Sequence, residues 1–490
     1  MFTLAVNFYI LSDSCLQTVA DLRPRLGYIA SMRHKKYVRL HPPVSDYAKL
    51  DSGPSSAPQH SLLRSAKWWL PLLLVIFVVM SCGGGGGSTN VAQPSANPGT
   101  QPTGNPTSNP PSNPPGNPPI NPGGTAQASG PLTVTEITTS LSNPWGMVFL
   151  PGGSALVTER AGSLRIVSPA GVVSAAISGV PTVDSRGQGG LLDVALDPAF
   201  ASNQRIYLSF AKPSANAADG NHTAVARTVL NTTTLALTSV TVIFEQLPKA
   251  VSTGHFGSRL VFDKNGYLFV TLGDRQNNDQ RGFAQDLTRG NGKVMRITTD
   301  GAAAPGNPSL GAGAQASIWS YGHRNPQGAA LHPTSGELWV NEHGAQGGDE
   351  LNLSLAGKNY GWPLASYSQE YGSTTPIGAT SLAGMTQPIS YWLTRDGSAF
   401  TSGSQSSIAP SGMAIYAGDK FPEFQGNVFL GALAGTALWR IALGGADGKT
   451  EVFRERLLAN RGERIRDVRV GADGWIYLLT DNGKLLKVSK

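Results

Sequence analysis

The chain has 490 residues, a formal charge of +7 and only two cysteines, Cys15 and Cys82. Nine Lys/Arg against four Asp/Glu in residues 1–81 account for +5 of that charge, so the remainder carries +2 and makes no case for nucleic-acid binding. With no cysteine after Cys82, whatever folds downstream has neither a disulfide nor a thiolate metal site.

Residues 1–63 lack a clear hydrophobic period and read as an N-terminal extension or an early-assigned start. In residues 64–82, Arg64 and Lys67 precede the apolar run Trp68 to Met80, which is short for a membrane span and is followed by Ser81-Cys82. Val79-Met80-Ser81-Cys82 resembles the bacterial lipobox, which implies acylation of Cys82 as the mature N-terminus; an uncleaved signal anchor is the alternative. Either way the globular part is exported, to the periplasmic side of a membrane, with the outer membrane the default. Residues 83–130 are uncharged and rich in Gly, Pro, Asn and Ser, with no apolar surface to bury, and read as a disordered tether.

From residue 131 to 490 one phrase recurs: an apolar strand, a turn with Asp, Pro or Gly, then an alternating strand. The copies start at Met147, Val194, Leu260, Ala330, Met413 and Val468, and several are followed by a further short strand such as GSLRIV, GKVMRI, TALWRI or GKLLKV. Period-2 alternation between Gly/Asp turns predicts antiparallel hairpins. Six irregular repeats predict an all-β, six-bladed propeller of four-stranded antiparallel blades, with a sandwich or barrel as the alternative. Leu132 to Leu141 is expected to close the ring by joining the last blade.

Loops on one propeller face converge on the central channel, so residues from distant repeats can share a site. His255 lies in the Gly-His-Phe-Gly run just before the third repeat, with a titration range suited to proton abstraction, though a loop histidine is often simply solvated. Gln188 holds the matching place before the second repeat, and Arg324 and Asn325, in YGHRNPQG, the place before the fourth. Arg464 and Arg466, two apart at the start of the sixth, are either a solvated strand face or a pair that grips carboxylates bidentately. NEHGAQGGDELNL at Asn341 to Leu353 offers backbone carbonyls through Gly344 and Ala345 with Asp349 and Glu350 nearby, an oxygen set suited to Ca²⁺. No G-x-S-x-G, H-E-x-x-H, P-loop or Rossmann glycine fingerprint is present.

GQGGLLDVALDP, GHFGSRLVF, YGHRNPQG, GDELNL with NYGWP, and the Arg-x-Arg-Asp-Val run together resemble the glucose/sorbosone dehydrogenase family. These are soluble aldose sugar dehydrogenases that depend on pyrroloquinoline quinone (PQQ) and have six-bladed propellers. The resemblance covers about residues 135–490. It implies that His255 is the general base for the sugar C1 hydroxyl, forming a lactone as hydride leaves. It also implies that Arg324 and Asn325 contact the quinone oxygens, Arg324 adding catalytic charge, and that Gln188 lines the cofactor and substrate pocket. Arg464 and Arg466 would hold PQQ carboxylates, and the carbonyls of Gly344 and Ala345 would bind Ca²⁺. The implied partners are an aldose and an electron acceptor, either a respiratory carrier or a quinone.

Two departures set the chain apart from the glucose dehydrogenase branch. Gly254 stands where that branch has an acidic residue, and Ala434 and Gly435 stand near its PQQ-binding lysine. Both put narrow glucose specificity in doubt. A Ca²⁺-dependent propeller lactonase and a non-catalytic exported binding propeller are the competing expectations.

Overall fold

The computed structural model describes residues 128–490. The lipobox ending at Cys82 and nearly all of the expected tether lie outside the described residues. Strand β1 (Thr133–Thr138) comes first. Blade 1 is β2 (Pro144–Phe149), β3 (Ala155–Glu159) and β4 (Ser163–Val167). Blade 2 is β5 (Leu191–Leu196), β6 (Arg205–Pro213), β7 (Asn221–Asn231) and β8 (Ala236–Glu245). Blade 3 is β9 (Leu260–Phe262), β10 (Leu268–Leu272), β11 (Lys293–Ile297) and β12 (Ile318–Tyr321). Blade 4 is β13 (Pro326–Leu331), β14 (Leu338–Glu342), β15 (Asp349–Ser354) and β16 (Ser390–Trp392). Blade 5 is β17 (Pro410–Ile415), β18 (Val428–Ala432), β19 (Ala437–Gly444) and β20 (Thr450–Leu457). Blade 6 is β21 (Ile465–Val470), β22 (Ile476–Thr480) and β23 (Leu485–Ser489), to which β1 adds as the outermost strand.

The six-bladed propeller expected from the repeats is what the chain forms, and each repeated phrase is the inner hairpin of one blade. Ring closure also follows the expectation: β1 pairs antiparallel with β23, Thr133 opposite Ser489 and Val134 opposite Val488. The first blade departs from the four-stranded plan. Its regular sheet has three strands, and the fourth place is held by an irregular segment whose Ser174 and Ile177 N–H groups bond the carbonyls of Ile166 and Leu164.

Alternation along each strand places apolar side chains between neighbouring blades. Leu156, Leu164, Leu208 and Ala226 pack between blades 1 and 2; Met413, Leu430 and Trp439 meet Trp339 and Trp392 between blades 4 and 5. Met147 and Val157 meet Leu479 and Leu485 where blade 6 returns to blade 1. Each such fully buried side chain contributes about 1.5–3 kcal/mol relative to exposure. Inter-blade hydrogen bonds repeat as well. Thr158 and Thr271, near the end of a second strand, and Ser209, in the middle of one, donate their hydroxyls to the Leu192, Pro326 and Ser258 carbonyls of the following blade.

The inner strands β2, β5, β9, β13, β17 and β21 line the axis. Five of the six carry a β-bulge near their start, as at Leu191/Val194 and Ile465/Asp467. A bulge re-aims side chains, and here it directs Asp193 and Asp467 at the axis. Arg259 Nη1 donates to both, at 3.1 and 3.0 Å, and Arg469 bonds both from the other side at 3.1 Å. The carboxylates also accept the N–H groups of Leu260 and Met147, and Arg259 Nε donates to the Gln327 carbonyl. The guanidinium of Arg259 lies over Trp145, 4.2 Å from the ring centre. Glycines make the approach possible: a Cβ on Gly146 would fall 2.5 Å from Asp193 Oδ1, and one on Gly412 2.0 Å from Asp467 Oδ1.

Arg259, Asp193 and Asp467 have fully buried side chains, so removing one partner leaves an uncompensated charge. Arg259→Met and Asp467→Ala are each expected to destabilise the propeller by about 3–5 kcal/mol, read as a fall in thermal midpoint. A midpoint within a degree of the parent would show that the cluster does not hold the blades together.

Candidate functional site

The site is assembled from the two ends of each inner hairpin. In an antiparallel hairpin the residues just before the first strand lie beside those just after the second. In blade 3 the register Leu260↔Val270, continued outward, carries His255 to the level of Asp274 and Arg275. In blade 4 it carries Arg324 to His343 and Gly344; in blade 6 Arg464 reaches Asp481, whose N–H bonds the Arg464 carbonyl at 2.9 Å.

His255 has a left-handed backbone, φ +48°, and is 3% exposed. Its Nδ1 lies 2.6 Å from Asp274 Oδ1. A carboxylate only accepts, so Nδ1 carries the proton and Nε2 keeps the lone pair. Asp274 is fixed in turn by Trp362 Nε1 (2.8 Å) and the Gln276 N–H (2.7 Å). The main-chain N–H of His255 donates to Gln188 Oε1 at 3.0 Å. Burial first, then the positive charge of Arg324, pushes the His255 pKa below its ordinary 6.5, while Asp274 pulls it up. Burial of Asp274 would raise its own pKa, but His255 and Arg324 hold it below the usual carboxylate value. The imidazole is therefore neutral near pH 7 and already oriented.

Arg324 sits beside this pair. Its Nη1 donates to the His343 and Gly344 carbonyls and its Nη2 to the Tyr371 hydroxyl, with the Trp362 ring centre 5.2 Å away. Its Nε is buried with no hydrogen-bond partner among the described residues, and so is Nδ2 of Asn325, whose Oδ1 accepts the Gly257 N–H. Buried donors without acceptors are costly, and here two of them are adjacent in sequence at one site.

A cavity of about 250 Å³ is lined by Gln188, Arg464 and Arg466 together with Arg160, Gln327 and His343. Arg464 and Arg466 both bind Asp481, through Nε contacts of 2.8 and 2.7 Å, and Arg466 Nη1 also reaches Gln327 Oε1. The two arginines thus share one internal carboxylate instead of forming a bare pair. The bulge at Ile465/Asp467 sends Asp467 to the axis. His343 donates Nε2–H to the Pro410 carbonyl at 2.7 Å, and burial, with His255 and Arg324 near it, pushes its pKa down to about 3.

Of the eight residues singled out from the sequence, Gln188, Arg464 and Arg466 line this cavity, Arg324 and Gly344 line a smaller pocket that shares His343 with it, and Ala345 packs against Ala284, Trp362 and Ile377. The acidic side chains of the Gly-rich loop do something other than expected. Asp349 accepts from the N–H groups of Gly344, Ile408 and Ala409 and from the Ser407 hydroxyl, so it clamps the loop, and burial pushes its pKa up to about 6. Ala345 is buried, its N–H on the Ser368 hydroxyl. Among the described residues no three His, Cys, Asp or Glu side chains converge on a metal position. The Gly254 departure has a physical counterpart: a Cβ there would lie 1.6 Å from Gln276 Oε1, so the space is filled from another loop. Asp274, Trp362, His343, Tyr371 and Arg160 were not identified from sequence. Hairpin register points to Asp274, in the TLGD that ends the third repeat, and to Arg160 and His343 at the ends of the first and fourth; Trp362 and Tyr371 depend on a loop that returns from elsewhere.

A family model for glucose/sorbosone dehydrogenases matches residues 141–487. The chain is 44% identical over 368 residues to aldose sugar dehydrogenase YliI of Escherichia coli (strain K12), covering 74% of this chain and 94% of that protein. A crystal structure of a glucose dehydrogenase aligns with TM-score 0.67 and 46% identity, covering 73% of this chain and 99% of the other. The PQQ-bound aldose sugar dehydrogenase of Streptomyces coelicolor aligns with TM-score 0.60 and 29% identity, covering 74% and 99%.

The electrostatics of the His255 pair are open to direct measurement. Asp274→Asn is expected to lower the His255 pKa further, because the anion that raises it is gone, and Arg324→Gln to raise it. Titration of the imidazole by NMR checks both. Shifts of the opposite sign would break the link between these three side chains.

Proposed function

The chain belongs to the glucose/sorbosone dehydrogenase family, and on that premise we propose that it is a PQQ- and Ca²⁺-dependent dehydrogenase oxidising the C1 hydroxyl of aldoses to lactones. The observation that carries this reading is the combination at one channel mouth of a neutral, carboxylate-oriented histidine with an arginine-lined cavity and two buried, unpartnered donors. A tricarboxylate with quinone oxygens fits that set. Arg464 and Arg466 would hold carboxylates bidentately, Arg324 and Asn325 would donate to quinone oxygens, and Gln188 would line the pocket. That a relative has a PQQ-bound structure supports PQQ as the cofactor.

Ca²⁺ is assigned to the carbonyls of Gly344 and Ala345. In this structure the Gly344 carbonyl accepts from the Arg324 guanidinium, so Ca²⁺ would take the place of that donor on the oxygen. When bound, PQQ supplies the electrophilic quinone that takes a hydride from the sugar. The protein's own part is proton removal and charge placement. Nε2 of His255 takes the C1 hydroxyl proton, and Asp274 stabilises the imidazolium that results, itself held by Trp362. Arg324 puts fixed positive charge beside the reacting centre, where negative charge develops.

The test is a titration of metal-free apoprotein with PQQ and Ca²⁺, following dye reduction with several aldoses. Reduction that requires both additions is expected. Lactone hydrolysis without PQQ would instead make the protein a hydrolase, and neither activity would leave a binding propeller. His255→Ala should lower turnover by a factor on the order of 10² or more with PQQ still bound. Arg464→Ala and Arg466→Ala should each weaken PQQ binding by roughly 1.5–3 kcal/mol, and Arg324→Ala should do both. The reversed pattern would overturn the roles.

The electron acceptor is proposed to be a respiratory carrier or quinone. We further propose that Cys82 is acylated and anchors the mature chain to the periplasmic side of a membrane. Cys82→Ala is expected to release the protein into the soluble exported fraction; an unchanged membrane-bound amount refutes the anchor.

A further inference from the structure

Arg160 follows directly on β3, and its main chain ties blade 1 to blade 2: the Leu191 N–H bonds its carbonyl at 3.1 Å. Its side chain turns to the cavity that also receives Arg464 and Arg466. Its Nε and Nη2 donate to the Gly189 carbonyl at 3.1 Å each, and Nη2 also donates to the Gly187 carbonyl. Neither acceptor carries a charge. Among the described residues Arg160 pairs with no carboxylate, and its Nη1 makes no hydrogen bond. Arg464 and Arg466, by contrast, share Asp481.

The charge balance of the cavity follows. Three guanidiniums line it, and the one carboxylate they have near them, Asp481, is shared by Arg464 and Arg466. Burial lowers the Arg160 pKa and the like charge of Arg466 lowers it further, while the Asp481 carboxylate, which Arg464 and Arg466 already share, raises it. An arginine stays charged nonetheless. Excess positive charge in a partly closed cavity is relieved by an anion, and a guanidinium with a free edge presents the planar donors that a carboxylate accepts.

We propose that Arg160 is a third guanidinium of the cofactor cradle and binds a carboxylate of PQQ alongside Arg464 and Arg466. The inference rests on the reading of the cavity as a PQQ site. It gives blade 1 a direct part in binding. It also ties cofactor binding to the base, since the two carbonyls held by Arg160 flank Gln188, which accepts the His255 N–H.

That loop clamp is the competing explanation for any effect of substitution, so the test must separate charge recognition from loop support. Apoprotein with Ca²⁺ is titrated with PQQ and, separately, with PQQ trimethyl ester, whose carboxylates are neutralised, following quenching of tryptophan fluorescence. The parent protein is expected to prefer PQQ over the ester. Arg160→Gln should lower PQQ affinity roughly 10- to 100-fold, the worth of one charge-assisted contact, and leave the ester nearly unchanged. Arg160→Lys keeps the charge without the two-carbonyl clamp and should retain most of the preference. Equal loss of both ligands in Arg160→Gln and Arg160→Lys would mean that Arg160 only supports the loop, and unchanged PQQ binding in Arg160→Gln would equally overturn the proposal. A parent protein that binds neither ligand would overturn the reading of the cavity itself.

Discussion

Everything at the channel mouth is referred to one buried contact, that of Arg259 with Asp193 and Asp467. Those residues belong to three blades, and Arg469 and the Met147 and Leu260 N–H groups bring in the strands beside them. Apolar packing between blades is strong but tolerant of small slides, because any well-filled arrangement of Leu, Val and Ile is nearly as good. Charges in a dry interior are not tolerant: each must meet its partner at hydrogen-bond distance or remain unpaired at a cost of several kcal/mol. The axial cluster therefore acts on the relative register of the blades more than on the bulk of the stability. Arg259 lies four residues from His255, so the network that sets the register also sets the height of the base.

Hairpin geometry then explains how six unremarkable repeats make one site. The second strands of blades 1, 3, 4 and 6 end in Glu159-Arg160, Asp274, Glu342-His343 and Asp481, all delivered to the same end of the channel by the same register. The entrances to the first strands deliver His255, Arg324 and Arg464 to the same level. Structural carboxylates and site side chains are thus paired by construction, neutral His255 with Asp274 and the Arg464 cation with Asp481. Glu342 shows the supporting role clearly. It receives His323 Nδ1 and the Arg324 N–H at 2.7 and 2.6 Å, and so fixes the loop that aims the Arg324 side chain.

The electrostatic design separates two jobs in a small space. Burial and neighbouring cations keep His255 and His343 neutral, so one offers a lone pair at Nε2 and the other adds no charge to a cavity already rich in guanidinium. The arginines stay ionised because their intrinsic pKa lies far above any shift that burial imposes. A proton acceptor and an anion cradle therefore coexist without the cradle protonating the acceptor.

The amino-acid sequence by itself determined the blades. Alternation, turn residues and the sixfold phrase are local properties, and β1 closing on β23 follows from having one strand too many at the start of the domain. It also placed Gln188, His255, Arg324, Asn325, Gly344, Ala345, Arg464 and Arg466 at strand entrances and one Gly-rich loop, because equivalent positions in successive repeats reach the same face. Only the tertiary structure decided their partners. Asp274, Asp481 and Arg160 are reached by continuing a hairpin register, but Trp362 and Tyr371 arrive through a loop, and no sequence period encodes that. The bulges at Leu191/Val194 and Ile465/Asp467, which turn Asp193 and Asp467 to the axis, are likewise features of strand pairing that no sequence period marks. A carboxylate reads the same in sequence whether it holds an arginine, clamps a loop as Asp349 does, or binds a metal. The difference lies in which donors surround it, and those are brought together by contacts hundreds of residues apart.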